Sequence, residues 1–240
     1  MDSNPANVAR LARRLVPRRL NHLIELLEFF YVQRFKGFAI SGEPSLDEVS
    51  LPFFLEALSN CTSYLEYGSG GSTLLAARSG KPFICVDSDP YFLQAVRRKI
   101  EQTIEATSRG EYLFCDIGLT AFWGKPVIRK PFGRAKKALW RHYPEAPWAL
   151  LTCEGRPLPD LVLIDGRFRV ACALTAFLHL QSRPGCRILV DDYRGRSHYR
   201  EIERFGTLES YQGRMGVFRP KVVDSAALRE ALSRFGLDWR

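Results

Sequence analysis

Eleven residues, Ser63-Tyr64-Leu65-Glu66-Tyr67-Gly68-Ser69-Gly70-Gly71-Ser72-Thr73, constrain the fold of this chain more than any other stretch. They read as a buried strand that ends in a carboxylate, breaks into a glycine turn and continues at once as a helix. Gly68 and Gly70 lack a Cβ, so the chain can turn sharply and a ligand can lie against bare backbone, while the start of the helix offers unpaired N–H groups. A second strand, Pro82 to Val86, then delivers Asp87 nineteen residues beyond Gly68. That is close to the roughly 20-residue offset at which a carboxylate meets a ribose in open α/β sheets.

Strands and helices alternate from there on. Leu51 to Leu58 reads as a helix leading into the first strand, and Gly42 to Leu51 as a connector before it. Tyr91 to Ile104 is a helix; Glu111 to Cys115, Asp160 to Ile164 and Arg187 to Val190 are further strands; Phe168 to Leu180 is another helix. Thr207 to Tyr211 and Met215 to Phe218 flank Gln212-Gly213-Arg214, the pattern of an antiparallel hairpin. The expected fold is α/β and Rossmann-like: a mostly parallel seven-stranded sheet with a C-terminal antiparallel hairpin and helices on both faces. An N-terminal extension over 1–50 precedes a main domain over 51–240, which carries a basic insertion over 120–159. Within the extension, apolar positions recur at helical spacing from Val8 to Lys36 with a break at Pro17, which predicts two helices. Arg10, Arg13, Arg14, Arg18 and Arg19 would suit an anionic membrane surface, whereas Leu26, Phe29 and Phe30 favour a helical cap packed on the core.

A chain of 240 residues with 46% hydrophobic content can bury one sizeable core. Its apolar runs stop short of the 18 or so residues of a spanning helix, and no cleavage signal follows Arg13 and Arg14, so a cytoplasmic protein is expected. The cysteines, at 61, 85, 115, 153, 172 and 186, form no Cys-x-x-Cys pair and read as reduced. His22, His142, His179 and His198 lack metal-ligand spacing. The net charge of +9 favours anionic partners. It concentrates at Lys125, Arg129, Lys130, Arg134, Lys136, Lys137 and Arg141, a run without an acidic residue and interleaved with Trp123, Phe132 and Trp140. Placed between the third and fourth strands, this insertion could cover an acceptor bearing an acidic group, or be a solvated face.

The Glu66 carboxylate discriminates between cofactors. A dinucleotide would bring its pyrophosphate to the turn, and its fingerprint wants a third glycine where Thr73 stands. A carboxylate repels phosphate and suits the sulfonium and ammonium of S-adenosylmethionine. At these residues the chain resembles the class I S-adenosylmethionine-dependent methyltransferases, whose first motif is an acid, any residue, Gly, any residue, Gly. The resemblance spans roughly Cys61 to Arg219. It implies that Glu66, Gly68, Ser69, Gly70 and Ser72 hold the methionine end of the cofactor, that Asp87 takes the ribose hydroxyls, and that Asp116, at the third strand end, also faces the cofactor.

Acids also end the later strands, as Asp165 and as Asp191 with Asp192. Such a convergence is costly unless cations or donors meet it, which marks a candidate site. Here Asp160-Leu161-Val162-Leu163-Ile164-Asp165 and Ile188-Leu189-Val190-Asp191-Asp192 resemble the fourth- and fifth-strand motifs of catechol-type O-methyltransferases. That resemblance implies a divalent cation, Mg²⁺, on Asp165, Asp191 and Asp192, with Asp165 or Asp192 as catalytic base. The chain departs from the pattern at Asp192, where the family has Asn, and at Phe168, where it has a lysine. The chain is also similar to uncharacterised methyltransferase-like proteins with Gly-Arg-Phe-Arg-Val-Ala-Cys-Ala after the fourth strand. O-methylation of an anionic small molecule or glycan is the leading expectation. RNA methylation and a fold that binds cofactor without turnover are the alternatives, although no base-amine motif or RNA-binding module is present.

Overall fold

The structure is a computed structural model that describes residues 17–104, 110–183 and 185–240. It divides into two units, 1–38 and 39–240. The first, taken alone, is helix α1 (Arg18–Tyr31), which runs into a π-helical turn at Val32–Lys36 and stops at Gly37, where φ is +82°. Of the two helices expected there, the one before Pro17 lies outside the described residues.

The second unit carries a seven-stranded sheet. Strands β1 (Tyr64–Tyr67), β2 (Phe83–Asp87) and β3 (Gly110–Phe114) lead to a separate pair of two-residue strands, β4 (Thr120–Ala121) and β5 (Lys125–Pro126). Then follow β6 (Leu161–Ile164), β7 (Arg187–Val190), β8 (Gly206–Gln212) and β9 (Met215–Pro220). The order in the main sheet is β3-β2-β1-β6-β7-β9-β8, and every strand runs parallel to the others except β9, which is antiparallel to both its neighbours. From β1 the chain winds outward to β2 and β3, then returns to lay β6 on the other flank of β1. The β1/β6 boundary is therefore the topological switch point, where open α/β sheets hold their ligands.

Helices α2 (Ser50–Asn60), α3 (Gly71–Arg78) and α4 (Pro90–Thr103) are followed by α5 (Gly133–Cys153), α6 (Arg169–Leu180), α7 (Glu201–Phe205) and α8 (Ser225–Phe235). Strand side chains alternate between two apolar clusters. Leu65, Tyr67, Val162, Ile164, Ile188 and Val190 join the cluster that contains residues of α5, α6 and α8. Tyr64, Phe83, Cys85, Leu161, Leu163 and Leu189 join the one built with α2, α3 and α4. Near-continuous apolar runs such as Leu-Val-Leu-Ile at β6 are what a sheet covered on both faces requires.

The basic insertion contains the β4/β5 pair, a tight turn at Phe122–Gly124 and the 21-residue helix α5. Pro144 and Pro147 lie inside that helix, where sequence alone argues for a break. Tertiary bonds tie this stretch to β1: the Tyr67 hydroxyl donates to the Pro144 carbonyl at 2.5 Å and accepts from Trp148 Nε1 at 2.8 Å.

Candidate active site at the sheet switch point

Backbone pairing carries the parallel ladder one residue past the strands and levels their carboxyl ends. Gly68 N donates to Val86 O, Asp165 N to Tyr67 O and Asp191 N to Ile164 O, at 2.8, 2.9 and 3.0 Å. Asp87, Asp165 and Asp191 thus stand level at one rim, opposite Gly68, while Glu66 lies two residues below that level on β1, paired with Cys85 and Leu163.

The glycines divide their work differently from the sequence expectation. Gly68 has φ +97°, and a Cβ there would sit 2.7 Å from Gly166 N, so its bareness serves the packing of the β1 and β6 turns rather than a ligand. Gly166 returns the constraint, since its own Cβ would lie 2.8 Å from Gly68 N and 2.6 Å from the Tyr143 hydroxyl. A Cβ on Gly71 would meet the Glu43 backbone at 2.2 Å. Gly70 alone of these faces open space, with nothing within 4 Å. Its N–H donates to Thr73 Oγ1 at 2.8 Å, which closes the first turn of α3. Neither Gly71 nor Gly166 was assigned a role from sequence, because the partners that need them lie 28 and 98 residues away.

Glu66 is fully buried. One carboxylate oxygen accepts from the Tyr64 hydroxyl at 2.9 Å; the other, Oε1, is buried without a hydrogen-bond partner. Burial pushes the carboxyl from 4.5 up to about 7, against the pull of the Thr73, Ser72 and Tyr64 hydroxyls. An orphaned carboxylate oxygen on the strand that leads into an open glycine turn is a fit for an ammonium group. Asp87 is also buried, and burial raises its pKa. It accepts from Ser69 N at 2.9 Å, Ser69 Oγ at 2.6 Å and Asp89 N at 2.9 Å, so it pins the glycine turn to the end of β2. Asp116 stands apart, exposed and accepting from Gly118 N at 2.7 Å.

The structure surrounds the expected metal triad with arginines. Asp165, Asp191 and Asp192 do converge, but guanidinium groups already occupy the place of a cation. Arg169, 4% exposed, bonds Asp165 Oδ1 at 2.8 Å and stands 3.4 Å from Asp192 Oδ2; it also donates to the carbonyls of Asp165, Gly166 and Asp191. Arg214 grips both oxygens of Asp191 at 3.0 Å and reaches Asp192 Oδ1 at 3.1 Å, while Arg196 bonds Asp192 Oδ2. A hard cation needs carboxylate oxygens free to point at it. Among the described residues no group of three or more His, Cys, Asp or Glu side chains is placed to hold a metal ion. Asp165 keeps 31% of its side chain exposed. Burial pushes its carboxyl up to about 7; Arg169 pulls it down, and Asp191 adds to the rise.

Local backbone is strained on this rim. Phe168 at φ +56° and Asp192 at φ +54° occupy the left-handed region just past β6 and β7, and Trp123 does so at +64° in the β4/β5 turn. Each costs on the order of 1–3 kcal/mol and persists only where the surroundings impose it. Phe168 is fixed by Trp140 and Tyr143, both with ring centroids 5.3 Å away. The turn reaches the rim as well: a Cβ on Gly124 would lie 2.9 Å from Ser88 Oγ and 3.9 Å from Arg167 Cγ. It therefore sits over the ends of β2 and β6, with Trp123 75% exposed.

No family model matches the chain, and neither does any curated protein. Among solved structures, a methyltransferase-like protein from Silicibacter pomeroyi is 31% identical over 82% of this chain and 100% of its own length, with a TM-score of 0.70. An O-methyltransferase from Bacillus cereus, in complex with SAH, is 18% identical over 89% of this chain and 97% of its own (TM-score 0.45). An SAH-bound methyltransferase from Podospora anserina is 12% identical over 92% and 97% (TM-score 0.44).

Proposed function

We propose, from the premise that the chain belongs to the class I S-adenosylmethionine-dependent methyltransferases, that this methyltransferase modifies an oxygen of a small molecule with an anionic group, without a metal. The observation that carries the cofactor side is the partnerless Glu66 Oε1 on the strand that leads into the turn where Gly70 faces open space. Glu66 would hold the ammonium of S-adenosylmethionine, Gly70 would let its chain lie on the backbone, and Ser69 and Ser72 would complete the turn. Asp87 would take the ribose hydroxyls once Ser69 shares it, with Asp116 farther out. When bound, the cofactor supplies a methyl group already activated on a sulfonium.

What the chain itself must do is align an acceptor hydroxyl and remove its proton. Alignment alone can contribute on the order of 7–11 kcal/mol. Asp165 is the base this reading selects. It stands at the switch point, remains partly open, and titrates near neutrality, where a general base is most effective. Arg169 fixes its orientation through Oδ1. Asp192 is held by Arg169, Arg196 and Arg214, which leaves it a positioning role. The run from Lys125 to Arg141, which has no acidic residue and follows a turn that lies over the ends of β2 and β6, supports an anionic acceptor. Calorimetry tests the reading: S-adenosylhomocysteine should bind and NAD should not. Tight NAD binding with no S-adenosylhomocysteine signal would overturn it.

A further inference from the structure

Every carboxylate on the rim of β6 and β7 has its arginine, yet one arginine there has no carboxylate. Arg167 follows Asp165 and Gly166, with its Cγ beneath Gly124 of the β4/β5 turn and close to Ser88 at the end of β2. Its Nε is buried and has no hydrogen-bond partner. Among the described residues it makes no ion pair, whereas its neighbour Arg169 engages Asp165, Asp191 and Asp192. Burial, followed by the nearby Arg169 charge, lowers its pKa. A buried N–H left unpaired is costly, more so when the group is charged. An arginine packed only for its stem would keep all its N–H groups in water. Arg167 as a whole is only partly buried, with its Nε unpaired under the turn, and a planar fork is the geometry that carboxylate and phosphate oxygens match.

We propose that Arg167 is the anchor for the anionic group of the acceptor, a carboxylate or phosphate carried on the same small skeleton as the hydroxyl presented to Asp165. This rests on the reading of the crevice as an acceptor site and names the residue that selects the acceptor. One residue separates Asp165 from Arg167, so their Cα atoms lie within about 7 Å of each other. Both groups start from one turn, so a single small skeleton can present its hydroxyl to one and its anion to the other. A neutral analogue would leave the guanidinium unpaired and bind correspondingly worse.

The test uses the whole chain with inorganic phosphate and acetate as probes, at constant ionic strength with chloride as the balancing ion. Thermal midpoints are followed against probe concentration, with and without S-adenosylhomocysteine. The wild type should be stabilised by at least one probe, and which one acts separates phosphate from carboxylate acceptors. Arg167→Gln should need roughly tenfold more probe for the same rise. Arg98→Gln, which removes an exposed charge from α4, should respond like the wild type. If Arg167→Gln does not fold, Arg167→Lys keeps the charge but loses the fork and should still weaken the response. Equal responses in wild type and Arg167 variants, or no response to either probe in the wild type, would overturn the proposal. Calorimetry with S-adenosylhomocysteine keeps the two readings apart. If that ligand binds while the Arg167 variants respond like wild type, the anchor alone is wrong; if it fails to bind to the wild type, the cofactor site is wrong.

Discussion

Replacing Glu66 with glutamine tests the cofactor site through stability rather than turnover. The carboxyl rises from 4.5 to about 7 because it is buried. The folded chain therefore holds this proton more tightly than the unfolded one, and stability falls as pH rises from about 4.5 through 7. At about 1.4 kcal/mol per tenfold change in proton affinity, carrying the charge costs the ligand-free protein about 3 kcal/mol at pH 8. At pH 5, where the folded carboxyl stays protonated, the cost is under about 1 kcal/mol. Glutamine cannot ionise and escapes this cost at every pH. In a domain of this size the gain at pH 8 corresponds to roughly 6–12 °C in Tm. The assay is urea or thermal unfolding of both proteins at pH 5 and pH 8. Any fixed penalty from accommodating the amide among Tyr64, Ser72 and Thr73 cancels when the two pH values are compared, and the similar titration of Asp165 cancels between the two proteins. Glu66→Gln should also lose S-adenosylhomocysteine affinity, so stability and binding move in opposite directions. A stability difference that is the same at both pH values would refute the reasoning.

Asp165→Asn should lower kcat by roughly 10²–10⁴-fold, with S-adenosylhomocysteine affinity retained. The wild-type rate should rise with pH through about 7 as Asp165 loses its proton, and EDTA should leave turnover intact; loss of activity on chelation would reinstate a metal. Removing the central guanidinium by Arg169→Met strands Asp165 and the carbonyls of Gly166 and Asp191 and should cost about 3–5 kcal/mol in denaturant unfolding. Gly68→Ala should destabilise the fold by more than about 1 kcal/mol, because it meets both a positive φ and the Gly166 backbone. Gly70→Ala should fold normally and weaken cofactor binding in calorimetry. Reversing Lys136 and Lys137 to Glu should raise the acceptor KM more than it changes cofactor affinity, most clearly at low ionic strength; unchanged kinetics there would make the insertion a solvated face.

Local sequence was enough for the elements whose cause is local. The alternation of apolar runs with glycine turns located the strands, and the order acid, glycine turn, helix, strand, acid led to Glu66 and Asp87 at the carboxyl ends of β1 and β2. Asp165, Asp191 and Asp192 were legible for the same reason, since each follows directly on a short apolar strand. Their partners were not. Arg214 lies in a hairpin turn, 23 residues from the Asp191 it grips, and nothing in Gln-Gly-Arg announces that pairing. Three converging carboxylates therefore read as a metal cradle when considered alone. Only the sheet order, which folds β9 against β7, brings Arg214 to Asp191, whereas Arg169 and Arg196 stand four residues from Asp165 and Asp192. The glycines show the same division. Gly68 was visible as a turn, but the reason it must be glycine is Gly166, which the chain places against it only after winding out to β3 and back. Sequence determines what neighbouring residues do to one another through propensity and periodicity. Close approach, and the partner available to a buried charge, depend on which distant strands the crossovers set side by side, and those the tertiary structure decided.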